Sequence, residues 1–321
     1  CTLWVGSQAP EGARATAVRI TGLSPDQVTV NVVQLGGGFG RRTGQDFVAE
    51  AVEIAQKLGR PVQLLWSRED DLGHGAFRDA AAIRMGARMS AGVPAFEVRM
   101  ATAKPGSDLS QPGMGPVMGW DNVAYQSGGL DVRWAGVPTT LATTIWRSVG
   151  YSYNTFAMES FVDELAEQQT LDPVELRRRL LQEGTPLRQC LEQVLLDADW
   201  FASNGRSLGL ATFNFGSSAV ALIAEVEGTA EDWRVSNVWC VVDCGVVVHA
   251  DAASAQIEGG ILFGLSAALY EQIELIDGAV QNRNFAGYRL ARMSDAPEVH
   301  VRFLPSQRYP GGLGEASTPA I

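Results

Sequence analysis

Histidine is scarce in this chain, with three in 321 residues, at positions 74, 249 and 300. No Ser/His/Asp or His/Cys grouping occurs at local spacing, so hydrolysis by an activated nucleophile is not supported. Cysteine is almost as sparse. Cys1, Cys190, Cys240 and Cys244 form no C-x-x-C pair and no Cys/His cluster of zinc spacing. Cys240 and Cys244 fall four apart in an apparent strand, about 13 Å apart at roughly 3.3 Å per residue. A disulfide needs its Cα atoms within about 7 Å, so reduced, structural cysteines are expected. Runs of five like charges are also missing, and the net charge of −11 offers no basic face for nucleic acid. The densest basic stretch, "ELRRRLL" (Glu175 to Leu181), reads as the wet side of an amphipathic helix. No window reaches the roughly 18 to 20 uninterrupted apolar residues of a membrane span. The nearest, Ala252 to Tyr270, is broken by Gln256, Glu258 and three glycines.

What is present is ordinary globular material, 46% apolar and 19% charged, enough for one large or two medium domains. "VTVNVVQL" reads as a strand and "QDFVAEAVEIAQKLG" as a helix with Phe47, Val48, Ala51, Ala55 and Leu58 on one face. "PVQLLWSR" reads as a returning strand. "AAIRMGARMS" and "PAFEVRMATA" alternate with period two around "AGVP", which predicts a hairpin and a mixed sheet. Lys104 to Gly129 reads as a functional or packing loop. Helices are predicted at "NTFAMESFVDELAEQ", "DPVELRRRLLQEG" with Asp172 as N-cap, and "PLRQCLEQVLLDADW". "SSAVALIAEVEG" and "RVSNVWCVVDCG" read as a long hairpin with a central second strand. "DAASAQIEGGILFGLSAALYE" reads as a buried helix with Gln256 and Glu258 inside it. The expected fold is α+β, with mixed sheets, packed helices and two subdomains, 1–205 and 206–321.

Four constellations could carry chemistry. "QLGGGFGRR" ends a strand and opens a helix, where backbone N–H groups can hold an anion or a cofactor phosphate. It is not the dinucleotide fingerprint, which would need Gly at position 41 and finds Arg41, nor a P-loop. A tight strand-to-helix turn is the plainer reading. Arg147 in "IWRSVGYSYNTF" stands at a helix mouth, as a terminus ion pair or a ligand clamp. Gln256 and Glu258, if buried, need partners from a ligand or from neighbouring backbone. Glu315 in "GGLGEAS" is either a surface turn residue or, in an apolar setting, a general base.

Together, "GSQAPEGARA", "VVQLGGGFGRR", "WRSVGYSYNTFAMESFVDELA", "VVDCGVVVHADAASAQIEGGILFGLSAALY", "RNFAGYRLARM" and "PGGLGEASTP" resemble the molybdenum-binding subunit of the xanthine oxidase family, in its isoquinoline 1-oxidoreductase branch. The resemblance runs from Thr2 to Ile321. It implies oxidative hydroxylation of an N-heteroaromatic compound such as isoquinoline, or of an aldehyde, with oxygen drawn from water. It implies a molybdopterin cofactor, in some members a cytosine dinucleotide, carrying molybdenum without direct protein ligands. By position, Gln8 matches the Gln that bonds the apical oxo group, and Gly37, Gly38, Phe39 and Gly40 match the loop against the metal centre. Arg147 matches an Arg that contacts pterin or substrate, Gln256 a Gln on the sulfido side, and Glu315 the catalytic base. Arg41 and Arg42 replace a "GGKE" of other members, which removes a substrate-contacting Glu. Two pterin-holding loops of the family, of "GQG" and "GSTS" type, are absent. The chain is therefore expected to be the C-terminal part of a longer subunit. Its expected partners are the remaining N-terminal part, a small 2Fe-2S subunit and a small-molecule substrate, with no nucleic acid, no transmembrane segment and no cluster in this chain. An alternative is a cofactor-binding or assembly module that is inactive alone. A third is a phosphate or nucleotide binder using the glycine loop.

Overall fold

The computed structural model describes residues 1–105, 115–202 and 205–321. Its first unit is β1 (Thr2–Val5), α1 (Pro10–Thr21), β2 (Thr29–Val32) and α2 (Asp46–Leu58). β1 and β2 pair in parallel, Thr2 opposite Thr29 and Val5 opposite Val32, with α1 as the crossover that a parallel pair requires. Pro10 starts α1, and Gly22, left-handed at φ 72, stops it. Ala13 and Ala17 of α1 pack with Val28, Val48 and Val52 in a small core of their own.

This unit differs from the one periodicity predicts. Of residues 61–68, read as a strand, 61–67 run as coil with no ladder among the described residues and Arg68 opens a helix, and Leu65 is 88% exposed. Alternation makes a strand only where a neighbouring backbone can take its N–H and C=O groups. The partner of β2 is instead β1, which the periodicity did not reveal. On α2, Val48 of the expected face is buried, together with Val52, which that face did not include, while Leu58 of that face is exposed in the last turn before Gly59.

After α3 (Arg68–His74) come β3 (Ala81–Ser90) and β4 (Val93–Pro105), antiparallel as predicted. Their two-residue turn is Ala91–Gly92, with φ 49 and 81, the left-handed pair that matches strand twist. β5 (Gly129–Thr139) joins β4 in parallel, so the sheet is mixed. Of the stretch read as a loop, residues 106–114 lie outside the described residues, while Trp120 and Tyr125 are buried in the core.

α4 (Tyr151–Gln168), α5 (Pro173–Leu180) and α6 (Pro186–Asp197) follow, and Asp172 caps α5 by accepting from the Val174 N–H at 2.8 Å. β6 (Ser207–Phe215), β7 (Ser218–Gly228) and β8 (Trp233–Asp243) precede α7 (Ala250–Leu269). The short hairpin β9 (Leu275–Ile276) and β10 (Ala279–Val280) leads to β11 (Glu298–Phe303), and the second sheet has the order β11-β8-β7-β6. Ala221, Ile223 and Val241 face α6, while Val220, Leu222, Cys240 and Val242 face α7. Burial on both faces explains why β7 and β8 read as near-continuous apolar runs.

Two expectations about polarity fail. Arg177, in the stretch read as a wet helix face, is fully buried. It donates to Glu159 Oε2 at 3.1 Å, to Asp163 Oδ1 and to the Leu210 carbonyl, while Tyr125 Oη and the Thr212 N–H also reach Glu159. A three-arginine run therefore hides one cation that ties α5 to α4 and β6. Gln256 and Glu258, expected inside a buried α7, are exposed; α7 packs through Ile257, Gly260, Ile261, Gly264 and Leu265. α7 is long and apolar enough by composition to cross a membrane, but that stripe lies against the second sheet and the C-terminal turn. All four cysteines are free, and all but Cys1 are buried.

Candidate active site

Two sharp turns, 167 residues apart in sequence, meet at Glu315. The first is the 147–149 stretch before α4, where Ser148 (φ 70) and Val149 (φ 48) are both left-handed. A β-branched residue there is a steric outlier costing about 1–3 kcal/mol, so surrounding structure must hold it. The second is the glycine-rich 310–316 turn. Arg147 Nε donates to the Gly314 carbonyl at 2.6 Å, the Ser148 N–H to Glu315 Oε1 at 2.9 Å, and Ser148 Oγ to the Glu315 carbonyl at 2.7 Å. Glu315 Oε2 has no hydrogen-bond partner among the described residues. The half-buried carboxylate thus stands in a polar clasp rather than on an apolar turn.

Arg147 extends this clasp to α7, with Nη2 3.2 Å from the Gln256 carbonyl and 3.5 Å from its Oε1. It is only 6% exposed. Burial pulls its guanidinium below the usual arginine value, and the neighbouring Glu315 carboxylate opposes that. Ser317 Oγ to the Ile257 carbonyl (2.9 Å) and Thr318 Oγ1 to the Gly260 carbonyl (3.1 Å) dock the second turn along α7. Gly260 must be glycine for this, since a Cβ there would collide with Ser317 Oγ.

The glycine loop approaches from the other side. Gln8 Oε1 accepts the Gly40 N–H at 3.1 Å, its own N–H bonds the Arg42 carbonyl at 3.0 Å, and a Cβ at Gly38 would strike its side chain. Gly40 (φ 86) passes so close to the first turn that a Cβ would stand 2.7 Å from the Ile145 carbonyl. The Phe39 ring stacks on Phe263 of α7 at 5.2 Å, Trp146 covers the same ring at 4.8 Å, and Arg147 lies 5.5 Å above it. Arg41 and Arg42 turn back into the fold, Arg41 pairing with Asp46 at 2.7 Å and Arg42 stacking on Phe47 at 4.7 Å.

Gln8, Gly37, Gly38, Phe39, Gly40, Arg147, Gln256 and Glu315 are therefore brought to one place. Sequence reasoning missed Ser148, Trp146 and Phe263. Ser148 and Trp146 sit in the quoted "IWRSVGYSYNTF", but only the fold shows which neighbour of Arg147 meets Glu315. Phe263 shares with Gln256 a face of α7 whose exposure the composition concealed.

The chain matches the family described as molybdopterin cofactor-binding domain over residues 1–181, and a second profile with the same description over residues 156–297. It belongs to that family. This molybdopterin-binding chain is 32% identical to the isoquinoline 1-oxidoreductase subunit beta of Brevundimonas diminuta, over 97% of its own length and 42% of the relative. It is 30% identical to the membrane-bound aldehyde dehydrogenase [pyrroloquinoline-quinone] of Gluconacetobacter polyoxogenes, over 89% of its length and again 42% of the relative. It thus spans well under half of both. Quinoline 2-oxidoreductase from Pseudomonas putida 86 shares its fold at a TM-score of 0.84 and 16% identity, over 98% of this chain and 67% of that one. Aldehyde oxidoreductase from Desulfovibrio gigas does so at 0.84 and 14%, over 98% and 54%. The fold of the molybdopterin-binding chain is that of the xanthine oxidase-type molybdenum enzymes.

Proposed function

We propose that this chain forms the C-terminal, base-bearing part of a molybdenum hydroxylase that oxidises an N-heteroaromatic compound such as isoquinoline, or an aldehyde. The observation that carries this reading is the Glu315 carboxylate, held through Oε1 by the Ser148 N–H, with Oε2 unengaged, beside a donor-rich cradle.

The cradle suits a molybdopterin. The N–H groups of Gly36 to Phe39 have no acceptor among the described residues, and the side-chain amides of the exposed Gln8 and Gln256 keep their N–H₂ groups for a ligand. Such donors match the phosphate and oxo oxygens that this cofactor presents. No cluster of His, Cys, Asp or Glu able to hold a metal occurs among the described residues, which suits a metal carried by its organic ligand. When bound, the cofactor supplies the two-electron redox chemistry of hydroxylation. Gln8, Gly37, Gly38, Phe39 and Gly40 of the glycine loop would hold it, together with Arg147 and with Gln256 of α7. Phe39, Phe263 and Trp146 form an aromatic wall that sheds water. Glu315 takes, on Oε2, the proton that activation of water releases.

The cofactor is the plain or the cytosine dinucleotide form, which nucleotide analysis of an acid extract separates. The electrons leave to a small 2Fe-2S subunit; the relative from Brevundimonas diminuta is itself named a subunit beta, so its enzyme holds at least one further chain. The remaining N-terminal part of the subunit covers the bare side of the first unit, where Trp4 (71%), Val33 (45%) and Leu65 (88%) are exposed around a sheet of only two strands. A second reading rests on one relative, whose name carries pyrroloquinoline quinone. Element analysis and quinone extraction of the complete enzyme decide between the two cofactors. For the base, Glu315→Gln keeps molybdenum content and lowers turnover by several orders of magnitude. Turnover within tenfold of wild type removes Glu315 from the mechanism.

A further inference from the structure

Reading Glu315 as a base leaves open what aims it. Its turn contains Gly311, Gly312 and Gly314, so the local backbone is free to take many shapes and something outside the turn must choose one. Arg147 grips the turn one residue earlier, at Gly314. Ser148 grips Glu315 twice, once on the carboxylate and once on the main chain. The Ser148 side chain is fully buried, and its hydroxyl donates to the Glu315 carbonyl at 2.7 Å.

The backbone makes this contact informative. At φ 70 Ser148 occupies the left-handed region, where a residue with a Cβ costs about 1–2 kcal/mol that glycine avoids. On backbone grounds alone glycine is the better residue there. The serine hydroxyl is what glycine lacks, and among the described residues its hydrogen bond goes to the Glu315 carbonyl. Resting on the reading of Glu315 as the base, we propose that Ser148 is its positioning residue. Its hydroxyl fixes the Glu315 peptide, its N–H takes Oε1, and Oε2 is thereby the oxygen presented to the cradle. The charged and titratable neighbours of the carboxylate are Arg147 and Tyr151.

The bond is read without cofactor from the amide proton of residue 148 by NMR of the full chain, as the change in its chemical shift when Glu315→Ala removes the acceptor. In Ser148→Gly, which the left-handed backbone favours, and in Ser148→Ala, the change on adding Glu315→Ala falls to less than half. In the complete enzyme both variants lower kcat at least tenfold with KM within twofold. Ser152→Ala removes a nearby hydroxyl that bonds the Val149 carbonyl instead, and leaves both readouts unchanged. A residue-148 amide that Glu315→Ala does not move overturns the proposal, as does a Ser148→Gly enzyme with the full change and kcat within twofold. If Glu315→Gln stays active while Glu315→Ala still moves the amide, the base assignment fails and the contact stands.

Discussion

Arg147→Lys keeps the charge of the most connected residue in the site and removes its shape. The guanidinium reaches the Gly314 carbonyl through Nε at 2.6 Å and the Gln256 carbonyl through Nη2 at 3.2 Å, with its central carbon 5.5 Å from the centre of the Phe263 ring. One ammonium cannot serve two carbonyls on different segments and present a planar face. The variant loses one charge-assisted hydrogen bond, worth about 1.5–3 kcal/mol when buried. It also loses part of a cation–π contact worth about 0.5–1 kcal/mol. The sum is about 2–4 kcal/mol, and it falls on the docking of the 310–321 segment rather than on the core. The expected signature is local: amide exchange at Ala316 and Ala320, whose N–H groups bond the Leu313 and Ser317 carbonyls, accelerates roughly 30- to 900-fold. Amides of β7 and β8 keep their wild-type rates. Acceleration of less than threefold at Ala316 refutes the view that Arg147 holds the second turn. Equal acceleration throughout β7 and β8 refutes its locality.

Three further outcomes follow from the buried charges and thiols. Arg177→Leu leaves Glu159 buried without its cation and lowers stability by about 3–5 kcal/mol. Burial already pushes Glu159 above its ordinary 4.5 and Arg177 is the largest opposing pull, so the deficit grows as pH rises from 4.5 toward neutrality and shrinks on acidification. Urea titrations at pH 5 and 7.5 that give equal deficits contradict this. For Asp243, burial pushes the carboxyl up, but the Gly245 N–H and Arg308 outweigh it and hold it below its ordinary 3.8. Its stabilisation is therefore present above 3.8 and lost as pH falls through the lower folded value, so Asp243→Asn costs stability at pH 7 and much less at pH 2.5. Burial raises the Cys190 thiol to about 12, and raises Cys240 and Cys244 as well. A maleimide at pH 8 then labels one cysteine, Cys1, in the folded chain and four in denaturant.

The sequence alone determined the elements whose causes are local. The Asp172-Pro173 start of α5, the Ala91–Gly92 turn and the doubly buried β7–β8 hairpin are each written in neighbouring residues, and each formed where expected. The glycine loop and the Glu315 turn were legible as well, because glycine at close approaches is a local necessity. What failed depended on neighbours far along the chain. Residues 61–67 have strand alternation but no strand beside them, and Arg177 is buried because Glu159, Asp163 and the Leu210 carbonyl converge on it. The same reason governs the site. Sequence could nominate Glu315 and Arg147, but tertiary structure decided that Ser148, 167 residues away, takes the carboxylate, and that Oε2 is left unengaged. A hydrogen bond is set by a distance and an angle in space, and neither is encoded within either turn alone.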